Sequence, residues 1–161
     1  MPTWSEIGGH IRESKKKVGN DAYDLVRNHY IKKFAELRDR DVILYSSGFT
    51  HQSAAGSEYS ITNTDVHGFM EALSGLEGNQ LDLIIHSPGG EPEAAEQIVE
   101  YLRSMYDEIA VFVPHAARSA STLICCAADE VWMGNHSSLG PIDPQLALQT
   151  EMGARLVPAY S

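Results

Sequence analysis

Two short apolar runs, each leading into a turn rich in small residues, constrain this chain more than any other feature. The first is Leu81–Ile85 (LDLII), which leads into His86–Gly90 (HSPGG). The second is Ile109–Val113 (IAVFV), which leads into Ala117–Thr122 (ARSAST). Runs of this length and composition are typical of parallel strands that are covered on both faces. Each turn precedes a segment predicted as a helix, so backbone N–H groups are expected to gather at the carboxyl ends of the strands.

The same alternation extends along most of the chain. Apolar residues at helical spacing predict four helices, and two further β-branched or apolar stretches predict strands. The helices begin at Asp21, Thr62–Asp65, Pro92 and Ser119, and the further strands are Val42–Tyr45 and Glu130–Met133. Strands that alternate with helices in this way predict an α/β fold with a largely parallel sheet.

Three segments carry no clear pattern. Residues 1–20 are predicted to be a mobile N-terminal arm, and His51–Ser60 is predicted to be a polar loop. Beyond Gln145 the periodic signal fades. The remaining length, residues 21–161, fits one domain that is large enough to bury a core.

Composition and charge narrow the classes of function. The formal net charge is −10, which argues against nucleic acid or an anionic membrane as the main partner. No signal peptide is evident at the N-terminus, and the longest apolar run, Leu123–Ala128, is too short to span a bilayer. The adjacent Cys125 and Cys126 are expected to be buried thiols, with neither a disulfide nor a metal role. These features predict a cytoplasmic protein without a metal or other cofactor.

The two turns together contain the groups that acyl transfer requires. Ser119 is a candidate nucleophile, while Gly89 and Gly90 can bring backbone N–H groups close to a developing oxyanion, with the Ala120 N–H as a further donor. Loss of one such donor commonly costs about 3 kcal/mol of transition-state stabilisation. Ser121 is an alternative nucleophile, and either serine could instead serve only to cap a helix.

Longer segments around these turns resemble the serine dehydrogenase proteinase family, which belongs to the Clp protease/crotonase-like superfamily and is related to signal peptide peptidase A. The resemblance spans roughly residues 20–146 and includes, as its most specific pieces, Leu81–Gly90, Val113–Ile124, Ala127–Val131 and Leu139–Gln145. It implies a superhelix of repeated strand–strand–helix units, a serine peptidase domain and homo-oligomerisation. It also implies that the chain is truncated at its C-terminus relative to the family.

Carried over by position, Ser119 falls on the family's nucleophile, and Gly89 and Gly90 fall on its oxyanion turn. The family typically has two glycines after the serine, whereas this chain has Ala120 and Ser121. The side chains of Ala120 and Ser121 are expected to narrow the pocket beside the candidate nucleophile.

The general base is the least determined part of the site. The Clp protease subunit supplies a histidine after the strand that follows the nucleophile helix, but Ser137–Asp143 contains none. Signal peptide peptidases use a downstream lysine, and no lysine follows Ser119 here. The remaining candidate bases are His86, His115 and His136.

The resemblance therefore predicts a serine endopeptidase that acts on peptide or protein substrates, with any regulatory or ATPase partner unidentified. One alternative is a catalytically degenerate peptidase fold that serves as a scaffold or peptide-binding module. Another is crotonase-type chemistry on a coenzyme A thioester, although a serine at position 119 favours the peptidase.

Overall fold

The structure, a computed structural model, describes residues 2–50, 59–143, 145–150 and 153–158. Helices and strands alternate through the described ranges, with one short 3-10 helix near the N-terminus at Gly19–Asp21. The helices are α1 (Trp4–Val18), α2 (Ala22–Arg38), α3 (Asn63–Leu73), α4 (Pro92–Met105) and α5 (Ala120–Cys126). The strands are β1 (Asp41–Ser46), β2 (Gln80–His86), β3 (Glu108–Val113), β4 (Ala116–Ala117), β5 (Glu130–Met133), β6 (Ser138–Leu139), β7 (Gln145–Thr150) and β8 (Gly153–Pro158).

A four-stranded parallel sheet in the order β1-β2-β3-β5 forms the centre of the molecule. Its register places Leu83 beside Ile43 on one side and beside Val111 on the other. The predicted α/β fold with a parallel sheet is therefore confirmed. Because all four strands run the same way, their carboxyl ends meet at one edge, where the two turns singled out in the sequence also lie.

One face of the sheet carries the hydrophobic core. The apolar faces of α3, α4 and α5 pack there against alternate residues of the strands, as their helical periodicity predicts. Phe69, Ile98 and Ile124 represent the three helices, and each is almost fully buried. Pro92 occupies the first turn of α4, where its missing N–H costs nothing, and Thr62 begins α3 with a capping box to Asp65.

The opposite face of the sheet is covered by α2. Phe34 of this helix meets Phe112 edge to face, with ring centroids 5.2 Å apart. Arg38, in the last turn of the helix, reaches the fully buried Asp82 in the middle of β2. Trp132 on the edge strand β5 stacks on Phe112 and remains half-exposed. This face is thus held by aromatic and ionic contacts, whereas the other is held by aliphatic packing.

Within the predicted N-terminal arm, residues 4–18 form helix α1. Thr3 and Glu6 close a capping box at its start, with the Thr3 N–H donating to Glu6 Oε2 at 2.6 Å. No residue of α1 is buried, so the apolar periodicity that reveals a core helix is weak here. Within the described ranges, no helix combines the length and apolar composition that crossing a membrane requires.

Two small pairings complete the fold. The two-residue strands β4 and β6 form a parallel pair beside the end of β3, and β7 and β8 form an antiparallel hairpin. Neither pair was expected, since two-residue strands have no periodicity and the sequence signal fades beyond Gln145. Most of the predicted loop His51–Ser60 lies outside the described residues.

Candidate active site

The turns that follow β2 and β3 are joined by backbone hydrogen bonds. The Ser87 N–H donates to the Ala116 carbonyl oxygen at 3.1 Å, and the Arg118 N–H donates to the Ser87 carbonyl oxygen at 3.1 Å. Ser87 and Ala117 consequently form a parallel bridge beyond the ends of the main strands. The two turns are therefore one structural unit at the edge where open α/β sheets bind ligands.

Gly89 packs directly against the serine turn. Its φ is +91°, and a Cβ atom at this position would lie 2.2 Å from the Arg118 carbonyl oxygen, 2.7 Å from Ser119 Cβ and 2.9 Å from the Ala120 nitrogen. Only a residue without a side chain fits this approach. The structure thus brings the predicted oxyanion turn into contact with the predicted nucleophile.

Ser119 has an unusual backbone conformation. Its φ of 50° and ψ of −123° place a non-glycine residue in a region that costs about 1–3 kcal/mol to occupy. It precedes α5, which begins at Ala120 and not at the predicted Ser119, and its side chain makes no capping hydrogen bond. Within the described residues, no group hydrogen bonds to its hydroxyl. A strained serine between a strand and a helix presents its Oγ atom to a substrate in other hydrolase folds.

The backbone N–H groups around Ser119 divide into engaged and open donors. The Gly89 N–H donates to Ser87 Oγ at 3.1 Å. In the described part of the chain, the Gly90 and Ala120 N–H groups have no hydrogen-bond acceptor. These two open amides are therefore able to receive an anionic oxygen.

Gly90 is held from the other side by Ile61. The Ile61 N–H donates to the Gly89 carbonyl oxygen at 2.7 Å, and the Glu91 N–H donates to the Ile61 carbonyl oxygen at 2.9 Å. A Cβ atom on Gly90 would lie only 2.2 Å from that Ile61 oxygen. The second glycine is thus required by a close backbone approach, and the glycine turn is fixed on both sides.

Ser121, the alternative nucleophile, faces the interior. Its side chain is fully buried, and its hydroxyl accepts from the Arg118 N–H at 2.7 Å. The single hydrogen of this hydroxyl has two acceptors within reach. The Arg118 carbonyl oxygen lies at 2.7 Å and the Ser87 carbonyl oxygen at 3.2 Å. A hydroxyl with these partners and no access to solvent is poorly placed to attack a substrate.

The three candidate bases lie at different points around this edge. His86 ends β2 and is half-buried, with its ring centroid 4.8 Å from that of Phe49 and 5.3 Å from that of His115. His115 is exposed in the turn after β3, and His136 is exposed in the turn before β6. None of the three is hydrogen-bonded to Ser119 in the described residues. The structure brings His86 and His115 together but joins neither to the serine.

His86 is expected to make folding sensitive to mildly acidic pH. Burial, and secondarily the neighbouring His115, lower the pKa of His86 below its ordinary 6.5, while a backbone contact with Ala116 opposes the change. The folded protein therefore binds fewer protons at this site than the unfolded chain, so its contribution to stability is complete above pH 6.5 and declines as pH falls. Urea unfolding from pH 7.5 to pH 5 should show a smaller loss of stability in His86→Gln than in the parent. The exposed-site control His136→Gln should follow the parent, and identical pH profiles for His86→Gln and the parent would contradict this assignment.

The chain returns past the serine turn after β5. The Gly140 N–H donates to the Ala117 carbonyl oxygen at 2.8 Å, and Thr122 Oγ1 donates to that same oxygen at 3.0 Å. A Cβ atom on Gly140 would meet the Cα and Cβ atoms of Arg118 within 2.9 Å. Leu139–Gln145, a segment included in the family resemblance, therefore packs at its start against Arg118, the residue before Ser119.

Tyr45, which the sequence did not single out, lies close to the candidate site. Burial, and secondarily the adjacent Asp65 carboxylate, raise the pKa of its phenol well above its ordinary 10, and a hydrogen bond to the Ser87 side chain opposes this increase. The Tyr45 hydroxyl donates to Asp65 Oδ1 at 3.2 Å. Tyr45 lies six positions before the polar loop that begins at His51, and nothing local distinguishes it from a core aromatic residue.

The protein thus has a parallel sheet with paired turns at its carboxyl edge, one carrying a strained serine and the other two glycines, and its class is that of the ClpP-like serine proteinases. The chain belongs to the family of ClpP-like SDH-type serine proteinases, whose model matches residues 59–157, more than half of its length.

Two proteins of Methanocaldococcus jannaschii are similar to this chain, and both are uncharacterized. Protein MJ0137 is 52% identical over 87 residues, which cover 53% of this chain and 30% of that protein. Protein MJ1495 is 44% identical over 70 residues, which cover 44% of this chain and 24% of that protein. The similarity thus spans less than a third of the length of either relative.

Among solved structures, two mutants of the 1510-N membrane-bound stomatin-specific protease share the fold. A serine-to-alanine mutant superimposes with a TM-score of 0.53 at 20% identity, covering 62% of this chain and 51% of that one. A lysine-to-alanine mutant in complex with a substrate peptide gives a TM-score of 0.52 at 23% identity, covering 62% of this chain and 48% of that one. At these identities the likeness establishes the fold alone.

Proposed function

We propose that the protein is a serine peptidase in which Ser119 is the nucleophile. The observation that carries this proposal is the contact between the strained Ser119, whose hydroxyl has no partner in the described residues, and the backbone of Gly89. Energy stored in an unfavourable backbone conformation is typical of functional sites. Membership of a serine proteinase family supports the same chemistry.

The two open amides supply the oxyanion hole in this proposal. Ser119 Oγ attacks the carbonyl carbon of a peptide bond while its proton passes to a base, and the Gly90 and Ala120 N–H groups receive the resulting oxyanion. The tetrahedral intermediate then expels the amine, which takes the proton from the base. Water hydrolyses the remaining acyl-enzyme and restores the serine. Gly89 contributes through its lack of a side chain, because its own N–H is already donated to Ser87.

We assign the general base to one of His86, His115 and His136. The lowered pKa of His86 keeps that ring neutral near pH 7, as a base requires. Hydrogen bonds between nucleophile and base are often long in the absence of substrate, so the separation from Ser119 does not disqualify these residues. The chain contains no lysine after Lys33 that could take the role in its place.

The proposal also covers the substrate and the setting. Two structural neighbours are forms of a stomatin-specific protease, one of them in complex with a substrate peptide, which supports peptides or proteins as substrates. The exposed apolar residues Val131, Trp132 and Met133 on the edge strand support association with further copies of the chain. The free Cys125 and Cys126 support a reducing, cytoplasmic location.

Labelling with a fluorophosphonate probe tests the nucleophile. We expect intact mass spectrometry to find one adduct on the parent chain and none on Ser119→Ala, because the probe reacts only with an activated hydroxyl. The exposed Ser138, whose hydroxyl has no role in the proposed chemistry, provides the control variant Ser138→Ala, which should label like the parent. An adduct that survives in Ser119→Ala would refute the assignment.

The alternative is a catalytically inactive scaffold or peptide-binding module. It is favoured by one observation: no histidine, lysine or carboxylate in the described residues hydrogen bonds to Ser119. This alternative predicts no adduct on the parent chain, together with retained binding of a labelled unfolded peptide measured by fluorescence anisotropy.

A further inference from the structure

A second serine hydroxyl, that of Ser87, is buried between the two turns. Ser87 is fully buried, and its Oγ atom accepts the Gly89 N–H at 3.1 Å. Its backbone simultaneously pairs with the serine turn, donating to Ala116 and accepting from Arg118. One residue therefore contacts the glycine turn through its side chain and the serine turn through its main chain.

Ser121 makes the reciprocal set of contacts from the serine turn. Its hydroxyl accepts the Arg118 N–H at 2.7 Å and also reaches the Ser87 carbonyl oxygen at 3.2 Å. The Ser121 side chain thus closes the turn that contains Ser119 and ties it back to Ser87. Both hydroxyls are fully buried, so neither is held in place by water at the surface.

The conformation of Ser119 requires such restraints. A non-glycine residue with a φ of 50° relaxes towards a common backbone region unless the residues on both sides are fixed. Arg118, the residue before it, is fixed by the main chain of Ser87 and the hydroxyl of Ser121. On the other side, the Ser119 carbonyl oxygen accepts the Thr122 N–H at 2.8 Å.

We propose that Ser87 and Ser121 are positioning residues, whose buried hydroxyls clamp the glycine turn and the serine turn into the geometry that the reaction needs. This inference rests on the proposed function, because the geometry matters for activity only if Ser119 is the nucleophile. The Ser87 hydroxyl fixes the peptide plane before Gly89 by accepting the Gly89 N–H, and the Ser121 hydroxyl fixes the planes on both sides of Arg118. Together they set the distance between the nucleophile and the amide donors.

The surroundings of Ser87 extend the clamp towards α3. Ile61 pairs with the glycine turn, donating its N–H to the Gly89 carbonyl oxygen at 2.7 Å and accepting the Glu91 N–H at 2.9 Å. The next residue, Thr62, closes a capping box with Asp65 at the start of α3, and the Tyr45 hydroxyl donates to Asp65 Oδ1 at 3.2 Å. The position of the glycine turn is thus coupled to the start of a core helix.

The clamp is tested by the kinetics of phosphonate labelling in Ser87→Ala and Ser121→Ala, with Ser138→Ala as the matched serine control. We expect the limiting labelling rate to fall about tenfold or more in each of the first two variants, while the probe concentration for half-maximal rate stays unchanged. A merely structural role lowers the folded fraction, measured by thermal unfolding, but leaves the rate per folded molecule at the parent value. Limiting rates equal to the parent's in both variants would overturn the proposal.

Amide hydrogen exchange measured by NMR tests the clamp independently of chemistry. In Ser87→Ala the Gly89 N–H loses its acceptor, and in Ser121→Ala the Arg118 N–H loses one of two acceptors, so each is expected to exchange about tenfold faster. Unchanged exchange at both amides overturns the clamp whether or not the protein labels. A parent chain that does not label, together with faster exchange in the variants, contradicts the proposed function and still supports the clamp.

Discussion

Replacing Asp82 by alanine should destabilise the protein by about 3–5 kcal/mol, because the change leaves two partly buried arginines without their shared carboxylate. Asp82 is fully buried in the middle of β2, with the Arg38 Nε atom 2.7 Å from its Oδ2 and the Arg40 Nη1 atom 3.5 Å from its Oδ1. Glu108 retains Arg40, while Arg38 loses its paired carboxylate and keeps its contacts with the rings of Phe112 and Trp132. Removing one partner of a buried ion pair costs far more stability than removing one partner of an exposed pair.

Urea unfolding followed by circular dichroism measures this effect. Asp24→Ala provides the matched control, since Asp24 pairs with Arg27 at 2.8 Å while both side chains are more than half exposed. Breaking that surface pair should cost no more than about 0.5 kcal/mol. Equal losses for Asp82→Ala and Asp24→Ala would show that burial of the carboxylate is unimportant.

Replacing Gly89 by alanine should both destabilise the fold and strongly slow the labelling of Ser119. The new methyl group would lie 2.2 Å from the Arg118 carbonyl oxygen, and the residue would have to keep a φ of +91°. We expect a loss of about 3 kcal/mol in stability, since the backbone strain and the steric clash add. We also expect the labelling rate per folded molecule to fall by about a hundredfold or more, because the serine turn must move away.

Gly75→Ala separates the two causes. Gly75 has a similar φ of +85°, but a Cβ atom there meets nothing within 4 Å. This variant should lose only about 1–2 kcal/mol, the cost of the backbone conformation, and it should label at the parent rate. If Gly89→Ala behaves like Gly75→Ala in both measurements, the close contact between the two turns is not essential.

The sheet and its helices were predictable because their signals are local. An amphipathic helix such as α4 repeats its apolar residues every three or four positions, and a buried parallel strand such as β2 is apolar almost throughout. The one interruption in β2 is Asp82, whose burial depends on arginines about forty positions earlier. No local pattern contains that pairing.

The elements that were missed have weaker or different signals. The capping box between Thr3 and Glu6 is a local sign of helix α1 that apolar periodicity alone does not detect. The two-residue strands β4 and β6 exist only because residues 138–140 return to the serine turn. The hairpin of β7 and β8 follows the point where the pattern fades.

The residue types of the candidate site are present in the sequence, but their arrangement is not. Ser119, Gly89 and Gly90 are recognisable as candidates because serines and glycines follow two strands whose carboxyl ends must meet at one edge. The burial of Ser121 depends on a contact with Ser87 across 34 positions, and the hydroxyl of that same Ser87 accepts the Gly89 N–H. Sequence patterns do not distinguish a serine with a buried, hydrogen-bonded hydroxyl from a serine whose hydroxyl has no partner.

The sequence by itself determined how the four strands of the main sheet alternate with α2 to α5, the edge of the sheet that carries the candidate site and the chemical groups available there, because periodicity and turn composition act over a few neighbouring residues. Only the tertiary structure decided which serine hydroxyl and which amide N–H groups lack a hydrogen-bond partner among the described residues, and which carboxylate pairs with arginines inside the sheet. Those outcomes depend on atoms that approach within about 3 Å from distant parts of the chain, where a hydrogen bond or a clash selects one arrangement.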